Sequence, residues 1–123
     1  MGEMEQACAI LRKSEATRLE FPWGQLTWHA NAELGNSADM TVGECVLRPG
    51  CENPRHSHGN CAEVLVVKSG EIEHSMGDDT VGMVAGDTIS IPTGIMHNAR
   101  NTGDGPAVLF ICFSSATRET EGE

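Results

Sequence analysis

The chain contains no tyrosine, and phenylalanine and tryptophan bring its aromatic content to only 4% of 123 residues. Positive charge is also scarce, because 8 lysines and arginines face 18 acidic residues and leave a formal net charge of -10. A surface with this balance repels the phosphate backbone of nucleic acids and the headgroups of anionic lipids. We therefore expect neither a nucleic acid nor a membrane as a partner.

Long apolar runs are missing as well. No stretch approaches the ~20 apolar residues that a membrane span needs, and no basic start leads into an apolar run of the kind found in export signals. The five cysteines form no C-x2-C pair and are odd in number, which argues against a zinc knuckle and against a complete disulfide framework. These absences predict a cytoplasmic protein with reduced thiols, and the length predicts one domain.

What the sequence does contain is a period-two pattern of apolar residues, interrupted by glycine, proline or Asn/Asp clusters every roughly eight to twelve residues. This pattern predicts an all-β sandwich or barrel. The predicted strands cover residues 40–48, 62–68, 71–76, 80–84, 88–91, 95–101 and 107–113. Residues 26–29 also alternate like a strand, residues 33–39 resemble a loop, and residues 8–13 fit either a strand or a helical turn.

Three histidines and one glutamate predict a metal site. His56 and His58 are one residue apart, so on a strand their side chains project to the same face. Glu63 begins an apolar strand, where a carboxylate is costly to bury unless it is paired or coordinated. With His97 from a distant strand, these residues form a mixed nitrogen and oxygen ligand set that suits one divalent transition metal. The candidate metals are Fe, Mn, Ni, Zn and Cu.

Glycines and a proline frame these ligands in two segments, Gly50-x5-His56-x-His58-x4-Glu63-x6-Gly70 and Gly86-x5-Pro92-x-Gly94-x2-His97-x3-Asn101. Both segments match the two signature motifs of the cupin superfamily at every signature position, and their fifteen-residue separation resembles that of small single-domain bacterial cupins. The resemblance implies a double-stranded β-helix, a jelly-roll barrel of two antiparallel sheets that holds the metal in its mouth. It also implies the same four metal ligands, turn glycines, and a structural role for Asn101.

The resemblance further implies how the chain is organised. Residues 23–115 would form the cupin barrel, and residues 1–22 would be an N-terminal extension or a strand exchanged with a second copy. A homodimer is the expected assembly, since one short chain holds only one barrel. Residues 116–123 carry charge and no apolar face, so we expect a flexible acidic tail there.

Several further residues are candidates for catalysis or for substrate binding. Glu63 could leave the metal and act as a general base. His74 shares strand parity with apolar neighbours, so it either lines the pocket as a catalytic or substrate-binding group or simply lies at the end of the barrel. The candidates for the substrate pocket are Met76, Leu65, Ile95 and Cys61. Arg48, Arg55 and Arg100 are candidates for an anionic substrate, although Arg55 and Arg100 alternate away from the neighbouring ligands.

Two classes of function fit these residues. The first is an enzyme acting on a small polar metabolite as a dioxygenase, isomerase or lyase, and the second is a non-catalytic module that binds or senses a small ligand through its metal. The missing tyrosine narrows the first class, because cupin lyases that cleave dimethylsulfoniopropionate use a tyrosine base and thiol dioxygenases use a pocket tyrosine. Neither role has a residue to carry it in this chain.

Overall fold

The computed structural model describes residues 8–122, and these fold almost entirely into β-strands. One 3-10 turn, Lys13–Glu15, precedes the first strand, and residues 8–12 ahead of it form neither of the two predicted alternatives, a strand or a helical turn. The strands are β1 Thr17–Phe21, β2 Gly24–Ala30, β3 Thr41–Leu47, β4 His56–Ser57, β5 Glu63–Ser69, β6 Glu71–Met76, β7 Asp79–Val84, β8 Thr88–Ile91, β9 His97–Asn101, β10 Ala107–Phe113 and β11 Glu121–Gly122.

The strands form two sheets in which every pairing is antiparallel. One sheet has the order β1-β2-β3-β10-β5-β8 and the other has the order β11-β4-β9-β6-β7. From β3 to β11, consecutive strands alternate between the two sheets except in the β6–β7 hairpin, as in a double-stranded β-helix, so the predicted fold class is confirmed. The strands β6, β8 and β10 have the predicted bounds.

The space between the sheets holds the core, and strand alternation decides which residues enter it. Along β10, Ala107, Leu109, Ile111 and Phe113 are buried while Phe110 is 42% exposed. This is the period-two arrangement expected of a sheet with one face towards the core. No helix among residues 8–122 is long and apolar enough to cross a membrane.

The framing residues of the two motifs are structural. Gly50, Gly70, Gly86 and Gly94 all adopt positive φ, between 75° and 96°, as turn glycines do. Asn101 is fully buried, and its side-chain nitrogen donates to the carbonyl oxygens of Leu47 and Gly105, both at 2.9 Å. Its side-chain oxygen accepts a hydrogen bond from the backbone nitrogen of Gly103 at 2.9 Å. Asn101 therefore ties the end of β3 to the loop before β10.

The sheet begins earlier than predicted. β1 pairs with β2 of its own chain, from Thr17 opposite Trp28 to Phe21 opposite Gly24, so the sheet starts ahead of the expected barrel boundary at residue 23. Exchange of this strand with a second copy stays a prediction, and residues 1–7 lie outside the described residues.

The C-terminal segment, residues 114–122, differs from the expected flexible tail. Its strand β11 pairs with β4 across the mouth of the barrel, with Glu121 opposite Ser57. The Asn60 side chain donates to Thr117 O at 2.9 Å and accepts from Glu119 N at 2.8 Å. These hydrogen bonds replace the apolar face that the segment lacks. The expectation of a frayed end was therefore wrong for residues 116–122.

Candidate metal centre

The four predicted ligands come together at the mouth of the barrel. Their ligand atoms all lie within 4.8 Å of one another, and His58, Glu63 and His97 are buried while His56 is partly exposed. Pairing of β4 with β9 sets His56 opposite His97, and Glu63 is the first residue of β5. Strands from both sheets, with His58 directly after β4, thus bring four metal-binding side chains to one point.

The three histidines are held in one tautomer by backbone carbonyl oxygens. A carbonyl oxygen only accepts hydrogen bonds, so each Nδ1 carries a proton and donates it, and each Nε2 is left as the atom that can coordinate a metal. His97 Nε2, which donates to Glu63 at 3.0 Å, would give up its proton to do so. Burial lowers the pKa of His56 to about 4, so this ring is neutral at pH 7, as a ligand must be. The carbonyl partners are Pro54 for His56 at 2.7 Å, Glu119 for His58 at 2.9 Å and Ile95 for His97 at 2.8 Å.

Glu63 gives the site a buried negative charge. Burial alone would raise its pKa, but close contacts with the imidazoles of His58 and His97 lower the pKa to about 2. Its Oε1 lies 3.0 Å from His97 Nε2 and 3.3 Å from His58 Nε2. Burial alone would lower the pKa of His97, but the pKa is raised, because the hydrogen bonds to Glu63 and Ile95 and the charge of Glu63 together outweigh burial. A carboxylate that stays ionised in the interior calls for a compensating cation.

The nitrogen Nε2 of His58 supports the fit to a metal ion. This atom is buried and has no hydrogen bond of acceptable geometry among residues 8–122, although Glu63 lies nearby. An unsatisfied buried polar atom costs about 1–3 kcal/mol, and coordination would use its lone pair. The donor set, the tautomers and this nitrogen all suit a divalent transition metal.

A cavity of about 240 Å³ adjoins the ligands. This is the volume of about eight water molecules at roughly 30 Å³ each, and it is smaller than the pockets of about 300–1,000 Å³ that hold drug-sized ligands. Its wall is mainly apolar, with Trp28, Leu65 and Phe113 among the lining residues, and it includes the polar side chains of Asn98 and Arg118. The cavity therefore suits a small molecule with an apolar part.

His74 lies in the wall of this cavity and not merely at the end of the barrel. It is 1% exposed, and its ring stacks on that of His97 with centroids 5.8 Å apart. Neither ring nitrogen has a hydrogen-bond partner in the described part of the chain. Burial, followed by the nearby positive charge of His97, lowers the pKa of His74 to about 4. The wall of the cavity thus includes a neutral imidazole whose ring nitrogens are unpaired among residues 8–122.

Four residues are predicted to form the substrate pocket, and in the described part of the chain only Leu65 of these four lines the cavity. Cys61 packs into the hydrophobic core instead. Met76 has the expected parity but ends β6 at the rim, and Ile95 lies in the turn before β9, where it is 38% exposed. Strand parity predicts the direction of a side chain but not its depth along the barrel axis.

Of the three arginines predicted to bind an anionic substrate, one lines the cavity and two lie on the surface. Arg55 lines the cavity, and its guanidinium donates to Ser75 Oγ and Gly77 O, both at 3.1 Å. Arg48 and Arg100 are exposed, and Arg100 forms a surface ion pair with Glu73 at 3.2 Å.

Sequence reasoning missed the contribution of the C-terminal segment to the site. Arg118 and Thr120 line the cavity, and the carbonyl of Glu119 holds His58. The local sequence carries no signal for these roles, because a short charged stretch without apolar periodicity is also typical of a solvated tail.

Comparison with known proteins agrees with the fold and the site. Residues 43–113 match the family model described as Cupin domain. This match covers more than half of the chain, which therefore belongs to the cupin family and carries a His-His-Glu-His metal-binding group.

Two curated plant proteins are among its relatives. Putative germin-like protein 9-2 of Oryza sativa subsp. japonica is 31% identical over 108 residues, which cover 84% of this chain and 45% of that protein. Auxin-binding protein ABP19b of Prunus persica is 35% identical over 85 residues, which cover 65% and 41% respectively. The chain thus spans about half the length of the curated relatives it matches.

A structure of oxalate decarboxylase from Bacillus subtilis at pH 4.6 superposes with a TM-score of 0.79 at 21% identity. The match covers 86% of this chain and 29% of the decarboxylase. At this identity the likeness shows a shared fold.

Proposed function

We propose that this chain is a mononuclear metal enzyme that acts on a small polar metabolite as a dioxygenase, isomerase or lyase. The observation that carries the proposal is His74, a buried neutral imidazole in the wall of the cavity beside the metal ligands, whose ring nitrogens have no hydrogen-bond partner among residues 8–122. A site that only held a metal would have no use for such a costly group. Perturbed titratable residues in a cavity of this kind are typical of catalytic sites.

The metal would be held by His56, His58, Glu63 and His97. When bound, a divalent Fe, Mn, Ni, Zn or Cu ion supplies either oxygen chemistry or Lewis-acid polarisation of a substrate carbonyl. Manganese has support from a structural neighbour, since one Bacillus subtilis oxalate decarboxylase structure is described by its Mn(II) centers.

The chain's own residues would handle protons and exclude water. His74 can accept a proton at one ring nitrogen and donate from the other, because it is neutral at pH 7. Glu63 is ionised and can accept a proton through a carboxylate oxygen, but its low pKa makes it a weaker base than His74. The apolar wall formed by Trp28, Leu65 and Phe113 strengthens these interactions by displacing water.

A second candidate is a non-catalytic module that binds or senses a small ligand through its metal. It is favoured by the relative named as an auxin-binding protein, which is 35% identical over the matched residues. In this case the cavity would bind its ligand without turnover.

We also propose a cytoplasmic homodimer whose only other partner is a small molecule, with neither nucleic acid nor membrane bound. The cytoplasmic location is supported by five free cysteines. The dimer is supported by the outer face of the larger sheet, where Val64 of β5 and Phe110 of β10 are 41% and 42% exposed.

Turnover assays separate the two candidates. Protein reloaded with each metal in turn should convert a member of a panel of diketones, keto-acids, uronates and flavonols, followed by oxygen uptake and chromatography. The metal-free protein is the control. Tight binding without conversion for every metal and compound would contradict the enzyme proposal and leave the binding module.

Replacement of His74 with leucine should stabilise the protein while it impairs turnover. Leucine has no polar atoms to leave unsatisfied, so we expect the free energy of unfolding to rise by about 1 kcal/mol. Urea denaturation of the metal-free protein measures this change, and His29→Leu on the surface is the matched control. A loss of stability in His74→Leu would show that the imidazole nitrogens are satisfied in solution.

A further inference from the structure

The C-terminal segment places a guanidinium in the wall of the cavity. Arg118 lies over the ring of Trp28, with 4.3 Å between its Cζ and the ring centroid, and 5.2 Å from the centroid of Phe113. Both rings also line the cavity. These cation–π contacts fix the position of the guanidinium but neutralise none of its charge.

Residues 8–122 use little of the hydrogen-bonding capacity of Arg118. A guanidinium carries five N–H donors, and Arg118 uses one of them towards Thr120 Oγ1. Within residues 8–122 no carboxylate forms an ion pair with Arg118, although the side chain is half-buried. Burial lowers the pKa of Arg118, and the nearby negative charge of Glu63 offsets only part of this effect.

Two other arginines, Arg55 and Arg100, form hydrogen bonds or an ion pair with other residues of the barrel. Arg55 also lines the cavity but donates to Ser75 and Gly77, and Arg100 pairs with Glu73 on the surface. Among the described residues, the N–H donors that Arg118 leaves unpaired are therefore the ones available to a ligand.

Arg118 and the metal ligands line the same cavity, and both contact the ring of Phe113. The ring of Phe113 packs against the ring of His58 at 4.9 Å between centroids, and Arg118 lies over the same phenyl group. A single small ligand can thus contact the guanidinium while it presents other atoms to the metal ligands.

We propose that the cavity binds small organic acids whose carboxylate is held by Arg118 and whose metal-binding oxygens are separate from that carboxylate. This inference rests on the proposed metal-dependent function. A planar guanidinium matches a carboxylate with two parallel hydrogen bonds. A monoanion is favoured over a phosphate dianion, because one cation offsets one negative charge and Glu63 already adds another negative charge nearby.

Calorimetric titration with 2,4-dioxopentanoate and its methyl ester tests the proposal. The two probes share a diketone for the metal and differ in the charged group. Metal-loaded wild-type protein should bind the acid about tenfold or more tightly than the ester, in line with a hydrogen bond to a charged group. Arg118→Gln should lose this preference, while Arg118→Lys should keep part of it.

The surface variant Arg100→Gln removes the same charge away from the cavity and should behave as wild type. Equal binding of acid and ester by wild type, an unchanged preference in Arg118→Gln, or no binding of the acid would each overturn the proposal.

Circular dichroism and elemental analysis of every variant separate failure of the Arg118 proposal from failure of the metal site. Stoichiometric metal without acid preference contradicts only the role of Arg118. If no metal binds, the proposed function fails, and the same probe pair on metal-free protein still decides whether Arg118 selects the acid.

Discussion

Protein in which His56 and His58 are both replaced by alanine should retain no stoichiometric metal. The double variant removes two of four ligand atoms that lie within 4.8 Å of one another, so the remaining His97 and Glu63 cannot complete a first-row coordination shell. Elemental analysis after metal loading and gel filtration measures the effect. We expect the barrel to stay folded, because both residues lie at the mouth and outside the hydrophobic core.

The same variant should lose the stabilisation that a bound metal gives. A metal present at a hundred times its Kd stabilises a folded protein by about 2.7 kcal/mol, which should appear as a rise in Tm for wild type alone. His29→Ala is the matched control, since His29 is exposed and lies outside the ligand group. Undiminished metal in the double variant would exclude the centre formed by His56, His58, Glu63 and His97.

Replacement of Asn101 with alanine should cost about 3 kcal/mol of stability. The side chain is fully buried. Its removal leaves the carbonyl oxygens of Leu47 and Gly105 and the backbone nitrogen of Gly103 without these hydrogen bonds. Each unsatisfied buried group costs about 1–3 kcal/mol, with partial relief where water can enter.

Urea denaturation monitored by circular dichroism measures this loss, with an unchanged m-value as evidence that the denatured state is unaltered. Thr102→Ala is the neighbouring control, because the Thr102 side chain is exposed and surface substitutions usually change stability by less than about 0.5 kcal/mol. A loss in Asn101→Ala as small as in this control would contradict the bracing role of Asn101.

Local sequence patterns were sufficient to predict much of the barrel. Alternating apolar residues bounded by glycine or proline predict β6 and β10 correctly, because strand pairing and burial there follow a period of two. The metal ligands were predictable for a related reason. Their spacing matches the two cupin motifs, and that resemblance implies that the four ligands meet at one point, as they do in the structure.

The remaining features depend on long-range contacts that no local pattern encodes. β4 has only two residues and exists because it pairs with β9 and β11. The C-terminal segment is placed by Asn60 and by its pairing with β4, so its sequence alone resembles a tail. The depth of Met76 and Ile95 along the barrel likewise depends on where each strand ends.

The two tryptophans give the protein a built-in optical probe. Trp23 and Trp28 both line the cavity, and the chain has no tyrosine to add a background emission. Nearly all ultraviolet fluorescence of the unlabelled protein therefore originates from the walls of the site itself. Loading of a paramagnetic ion or entry of an absorbing ligand should change that emission directly, without any engineered label.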